Sequence, residues 1–392
     1  MKQSVLLVVL LPVALALGVQ SPAFAYVGLC CSKCGGNMPL NIPGAGVAET
    51  HEFRIKVSPS FMHMDGLTEG TSDIDPESLL GMPIMMGNPT GKYMAVPTAM
   101  DMSMLNVSMG YSFTDDFFAG VMLMFQQNDM DMQFNDMMAM TTQQSGFTME
   151  SEGVADTMLM AKYRLFTDDP LIPTRQASFF MGLSLPTGSI DEKNATHPVA
   201  MRQNELLPYG MQLGSGTFDP SVGIVYSGSK SPYWWGANTI YTARVHENKR
   251  DYRLGNELRF DLYGMYQLNY MFVFEAQLNA KHTGNIRGEM DEVVSGESGH
   301  VMQGMASSPY TTPLWDTRNY GGDELALTLG VQWQPASLNI LSFQVGMPLY
   351  QDLNGVQLKD DYRVMLTWYI EIPTKKSRRS NPSFKDKSTL GF

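Results

Sequence analysis

Glu257-Leu258-Arg259-Phe260-Asp261-Leu262-Tyr263-Gly264-Met265-Tyr266-Gln267-Leu268-Asn269 alternates residue by residue. Glu257, Arg259, Asp261, Tyr263, Gln267 and Asn269 share one parity, and Leu258, Phe260, Leu262, Tyr266 and Leu268 share the other. A period of two puts successive side chains on opposite faces of an extended strand, so one face here is polar and charged and the other apolar. The pattern returns in Leu325, Leu327, Leu329, Val331 and Trp333, set against Glu324, Thr328 and Gln332. It continues along residues 52–372, broken by turn signals. No later stretch is long and apolar enough for a spanning helix. Many alternating strands behind a secretory leader predict an all-β fold, a transmembrane antiparallel β-barrel of the Gram-negative outer membrane. A secreted β-sandwich is the soluble rival, but strands this long and numerous favour closure.

The leader is read from Lys2, an apolar run over residues 5–17 interrupted by Pro12, and Ser21-Pro22-Ala23-Phe24-Ala25. It predicts a signal peptide over 1–25, with the mature chain starting at Tyr26. The run is too short for a membrane anchor. Leu29 before Cys30 disfavours a lipoprotein site. Residues 26–51 form a Cys/Gly/Pro-rich segment expected to lie in the periplasm without regular structure. Residues 52–372 form the barrel, and 373–392 a basic periplasmic tail carrying Lys375, Lys376, Arg378, Arg379, Lys385 and Lys387. The net charge of −12 argues against nucleic acid as a partner and suits attraction of cations. The expected partners are outer-membrane lipid and a small solute or metal ion.

Twelve strands are expected, at 52–64, 94–112, 117–129, 153–165, 176–186, 216–227, 233–245, 252–268, 270–282, 323–334, 338–347 and 360–372. Short connections at 114–116, 167–175, 228–232, 269 and 335–337 alternate with longer ones at 65–93, 130–152, 187–215, 246–251, 283–322 and 348–359. Short periplasmic turns and long external loops are the habit of such barrels, which puts both termini in the periplasm. Trp234, Trp235, Trp333, Trp368 and Tyr369 lie near strand ends, as an aromatic girdle requires.

Methionine is the compositional outlier, with 32 residues against 3 cysteines. If Phe53, Ile55, Val57 and Phe61 face lipid, then Glu52, Arg54, Lys56, Ser58, Ser60, Met62 and Met64 face inward. By the same phasing Met100, Met102, Met104, Asn106 and Ser108 of the second strand face inward. So do Met122 and Met124 of the third, and Met158 and Met160 of the fourth. Met62, Met64, Met100, Met102, Met130, Met132 and Met158 would gather near the external mouth. His63 and Asp65 stand beside the first pair, and Met82, Met85, Met86, Met137, Met138 and Met140 in the adjoining loops. Thioethers are soft ligands that select Cu(I), so one reading is a relay for Cu(I) or Ag(I), as bound or transported ion with no resident cofactor. The other is adaptable apolar filling, with loop 65–93 plugging the lumen. Cys30, Cys31 and Cys34, with Met38 and the pliant Gly35-Gly36, could hold a soft metal or form a disulfide with one thiol left over.

The six histidines, His51, His63, His197, His246, His282 and His300, sit in no metalloprotease helix motif or nucleophile turn. Gly214-Ser215-Gly216 is glycine punctuation before a strand, so no enzyme is expected.

Three stretches carry a family likeness: 185–191 (LPTGSID), 207–219 (LPYGMQLGSGTFD) and 346–355 (GMPLYQDLNG). They resemble the bacterial outer-membrane transporters related to the MetA-pathway of phenol degradation family. Residues 61–66 (FMHMDG) and 93–104 fit a Met-rich branch. The resemblance covers 50–372 and implies a barrel and transport, with the family's association with aromatic catabolism. Three functions follow as expectations: a channel for a small solute, Cu(I) by way of the methionines; transport of hydrophobic or aromatic compounds; or a non-conducting structural or binding barrel. Twelve strands lie between filled eight-stranded barrels and open sixteen-stranded porins.

Overall fold

The computed structural model describes residues 38–45, 50–169, 173–269, 271–377 and 380. Its strands are β1 (Glu52–Gly70), β2 (Ser72–Ile74), β3 (Ile84–Met85), β4 (Asn88–Pro89), β5 (Ala95–Ser112), β6 (Phe117–Phe134), β7 (Gly146–Val154), β8 (Thr157–Thr167), β9 (Arg175–Leu185), β10 (Asp219–Lys230), β11 (Tyr233–Thr242), β12 (Tyr252–Arg253), β13 (Glu257–Gln267), β14 (Phe272–Thr283), β15 (Arg287–Gly288), β16 (Gly322–Ala336) and β17 (Asn339–Pro373). Eleven of them close an antiparallel ring in the order β1-β5-β6-β8-β9-β10-β11-β13-β14-β16-β17 and back to β1. Two more, β2 and β7, pair with β1 and β6 outside that ring.

The expected count of about twelve is close, and the difference lies at the chain's end. The strands expected at 338–347 and 360–372 are two arms of the single element β17. Its first arm pairs with β16 up to Leu353, and its second pairs with β1 from Leu353 to Pro373. Both ladders are antiparallel, so the chain must double back between them. It does so at Asn354-Gly355, where Gly355 has φ +61°. Gly355 takes the positive φ that this tight turn needs, which glycine adopts without steric cost. The Glu371 N–H donates to the Leu338 carbonyl at 2.9 Å, joining the far ends of the arms. The long connection expected at 348–359 is therefore a tight turn. Other boundaries move as well. The strand expected at 153–165 is split between β7 and β8, β1 and β6 run on to Gly70 and Phe134, and Tyr252–Arg253 leaves the barrel to pair with β15.

The outer face shows where lipid should end. From Phe53 to Phe61 on β1 and from Phe117 to Phe125 on β6, the outward parity is apolar or proline. Nine tilted residues at about 3.3 Å each match an apolar band about 25 Å tall. Beyond the band the same parity carries His63 opposite Asp101, Asp101 opposite Asp129, and Asp129 opposite Glu150. The sheet thus projects past the band at the end that carries the long connections. Of the expected girdle, Trp235 faces outward, whereas Trp234 and Tyr369 are buried inside.

Candidate functional site: a lumen closed from both ends

Residues 38–45 occupy the lumen at the end where β1 begins. Met38, Ile42 and Ala45 pack against Phe118, Phe180, Trp234, Tyr263, Met265 and Val273, while Leu40 packs against Ile340 and Tyr369. This short plug pairs with no strand, so its polar groups need other partners. Asn41 donates to Gln277 Oε1 at 3.0 Å and accepts from Gln277 Nε2 at 3.1 Å and from Gln344 Nε2 at 2.9 Å. Gln332 donates to the Met38 carbonyl at 3.3 Å. Three cations serve three further carbonyls: Lys56 on Leu40 at 2.8 Å, Lys162 on Gly44 at 3.3 Å, and Arg54 on Ala45. The Arg54 guanidinium also lies 4.2 Å over the Phe118 ring.

This corrects two expectations. Part of the segment expected to lie outside the barrel is inside it. Met38, expected to join the cysteines around a metal, is fully buried among apolar side chains and polar backbone anchors. Cys30, Cys31 and Cys34 lie outside the described residues, as do the signal region and most of the basic tail.

The opposite end is filled differently. Met64, Met100, Met130 and Met149 face one another directly across β1, β5, β6 and β7. They belong to, or pack on, a cluster with Met132, Phe134 and Met138 that also takes in Leu207, Met211 and Leu314. The last three come from the connections after β9 and β15, which fold into the mouth. Loop 65–93, the plug in one of the alternatives to a metal relay, supplies no member of this cluster. A third cluster of Leu206, Tyr209, Tyr252, Ile286, Met290, Val293 and Trp315 completes the cap. Arg250 ties the cap connections together through Asp191 at 2.8 Å and Asp291 at 3.1 Å. Beside Phe134 and Phe147, His197 accepts at Nδ1 from the Val199 N–H at 3.0 Å. Burial, reinforced by the Arg202 charge, pushes its pKa down to about 4.

The other methionines singled out from sequence fall at graded heights. Met62 and Met102 stand opposite each other near the cap. Met122, Met158 and Met160 join the cluster around the plug. Met104 and Met124 lie between the two clusters. Two sulfurs face guanidinium groups: Met62 accepts from Arg363 at 3.2 Å and Met160 from Arg54 at 3.5 Å. A cation beside the sulfur disfavours a second cation there. His63 does not join the inward set. It stands on the outer face with Nδ1 2.6 Å from Asp101 Oδ1. Met82, Met85, Met86, Met137 and Met140 are exposed on the connections. Met149 was missed because the strand was expected to start at 153; Phe147, Met149 and Ser151 share the parity that marks it. Among the described residues no group of three or more His, Cys, Asp or Glu side chains is placed to hold a metal.

Across the lumen the wall is polar. Asp261 accepts from Asn238 at 3.0 Å and from Asn279 at 2.7 Å, and Thr328 donates to Asn279 at 2.7 Å. The interior thus has a thioether half and a hydrogen-bonded half.

No family model and no curated protein matches the chain. Solved structures do. An outer membrane channel from Pseudomonas putida F1 aligns over 83% of this chain and 97% of its own, with 12% identity and a TM-score of 0.50. The P. putida toluene transporter TodX aligns over 82% and 91%, with 6% identity and a TM-score of 0.37. A Pseudomonas aeruginosa FadL homologue aligns over 89% and 98%, with 12% identity and a TM-score of 0.38. The first likeness concerns fold alone: this chain has the barrel fold of an outer-membrane channel. That agrees with the outer-membrane part of the resemblance read from its sequence.

Proposed function

We propose that this chain is an outer-membrane channel for small hydrophobic solutes, aromatic compounds among them. The observation that carries the reading is the row of thioethers that Met64, Met100, Met130 and Met149 form across four adjacent strands. Such a wall is apolar, polarisable and adaptable, and thioether–aromatic contacts are favourable by about 0.3–1.5 kcal/mol each. A sugar or ion porin would present a wet, polar wall on all sides. The methionines act here as lining rather than as ligands, a role the packed sulfurs and the two facing arginines support. The plug end and both termini face the periplasm, and the cap faces outward. No catalytic role is proposed.

The test compares a deletion strain with its complemented parent for uptake of labelled toluene and naphthalene, alongside sugar-driven swelling of vesicles holding the purified protein. Hydrocarbon uptake should fall on deletion, sugar swelling should be small, and copper tolerance should not change. Rapid sugar permeation with unchanged hydrocarbon uptake would overturn the reading.

A further inference from the structure

We infer that the membrane-facing side of β9, β10, β11, β13 and β14 holds one anionic phospholipid of the inner leaflet, its phosphate on Arg175 and Lys230 and an acyl chain in a depression over Gly264 and Ala276. This goes beyond the solute reading and takes from it only that the short turns face the periplasm. Two outward rows of the register build the site. Lys230, Tyr233, Tyr266 and Phe274 stand opposite one another in turn. Two residues further into the membrane run Arg175, Gly228, Trp235, Gly264, Ala276 and Leu329. The aromatic and leucine side chains of both rows are exposed, so both rows look at lipid.

The second row is uneven. The Trp235 indole lies across Gly228, where a Cβ would come within 2.7 Å of its Nε1. The ring is thereby turned away from Gly264, and a Cβ on Gly264 would meet nothing within 4 Å. Trp235, Tyr266, Phe274 and Leu329 wall in the resulting depression, whose floor is Gly264 and Ala276 and whose volume is about 720 Å³. Small-molecule sites span about 300–1,000 Å³. Without neighbours the lining forfeits dispersion contacts, and a hydrocarbon chain restores them with no charge taken into the apolar band. On the other side of Trp235 stand the two cations. Lys230 shares the outward parity of exposed Val222 and Ile224, and Arg175 that of exposed Met181. Neither side chain makes a hydrogen bond or ion pair among the described residues. Asp168, on the turn before β9, accepts instead from the N–H groups of Thr174 at 2.9 Å and Arg175 at 3.0 Å. Cations at the headgroup level attract anionic lipid, and the tyrosines mark that level. β10 and β13 are two strand spacings apart, about 10 Å, so one two-chained lipid spans both features. A second copy of this chain fits less well. It would bring both copies' cations into one apolar interface, with no carboxylate in either row to pair them.

The experiment reconstitutes the full-length protein into phosphatidylethanolamine vesicles with phosphatidylglycerol as the minor lipid, washes it in detergent, and counts the retained lipids by native mass spectrometry. Wild type should keep one phosphatidylglycerol, enriched about tenfold over its share of the vesicle, as two partly screened surface cations supply. The Arg175→Gln/Lys230→Gln double variant should return the retained lipid to the vesicle's own ratio. Gly264→Leu fills the depression from the membrane side and should lower retention of both lipids. The heat-dependent gel shift of a folded barrel shows that each variant has folded. Retention at the vesicle ratio by wild type would overturn the site. So would unchanged enrichment in the folded charge variant, or unchanged retention in folded Gly264→Leu. With lipopolysaccharide added to the vesicles, its retention in place of phosphatidylglycerol, lost in the same charge variant, would overturn the inner-leaflet assignment. Hydrocarbon uptake enters none of these readouts, so the solute reading stands or falls separately.

Discussion

Replacing Asn41 by Leu keeps the side chain's bulk and removes the centre of the plug's polar anchorage. Three hydrogen bonds go with it, two exchanged with Gln277 and one received from Gln344. At about 1 kcal/mol net for each, the plug's docking weakens by about 3 kcal/mol, and two wall amides are left short of a partner. Since 1.4 kcal/mol is about tenfold, undocking should become about a hundredfold more frequent. Hydrogen exchange reads this directly at two plug amides: Ile42 N–H, bonded to the Pro39 carbonyl at 3.2 Å, and Ala45 N–H, bonded to that of Ile42 at 3.0 Å. Their protection should fall by about two orders of magnitude, and ionic current through a planar bilayer should show openings that wild type lacks. A fall in protection below about threefold, with silent bilayers, would refute the reasoning and assign the plug's retention to apolar packing and the three cations.

His197 should make the cap sensitive to acid. Its folded pKa of about 4 lies below the ordinary 6.5, so the open cap takes up the proton first, and closure is lost progressively as pH falls from about 6.5 to 4. The shift sets a ceiling of about 3 kcal/mol, and solvent screening lowers that to about 1–2. Exchange across 186–218, corrected for intrinsic rates, should rise in this window for wild type and stay flat in His197→Leu. Gly330→Ala places a Cβ 2.6 Å from Glu275 Oε1 and 2.8 Å from Gln344 Cγ. It should cost about 1–3 kcal/mol of overpacking, seen as a lower denaturant midpoint. The Met100→Leu/Met130→Leu double variant conserves volume and should lose less than about 1.5 kcal/mol, with Ag(I) binding unchanged; loss of Ag(I) binding would revive the soft-metal reading. Val107→Arg, on the outer face inside the apolar band, should cost about 2–4 kcal/mol in folding into lipid vesicles.

The barrel was legible because alternation is imposed residue by residue. Phe53 and Val107 face out, and Arg54 and Ser108 face in, as their parity requires. What alternation cannot report is what fills the inside. The 38–45 stretch has no period because it joins no ladder, although Met38, Leu40 and Ile42 in an otherwise small, uncharged run hinted at burial. The closing hairpin carried its own signal in Asn354-Gly355, missed because an alternating scheme of connection lengths asked for a loop there. Tyr252–Arg253 read as the start of a strand, yet Gly255 runs against the Gly284 backbone and the chain turns away before β13. His63 sits among methionines in sequence and opposite them in space, because a step of one residue changes face. Leu207, Met211 and Leu314 reach the methionine cluster from connections with no period at all, so only the folded chain brings them together.

The ladder between β1 and β17 has a consequence for biogenesis. It joins Glu52 to Pro373, residues near opposite ends of the barrel sequence. The neighbouring hairpins can form locally, but this seam brings together the most distant pair of strands and so is the slowest to find. Until it is made, β1 and the final arm are open edges that can pair with any other chain. Loop closure costs only the logarithm of length, so the finished ring is little penalised for the distance it spans. The vulnerability lies in time, and damage to this ladder should reduce the yield of inserted barrels before it reduces the stability of those that close.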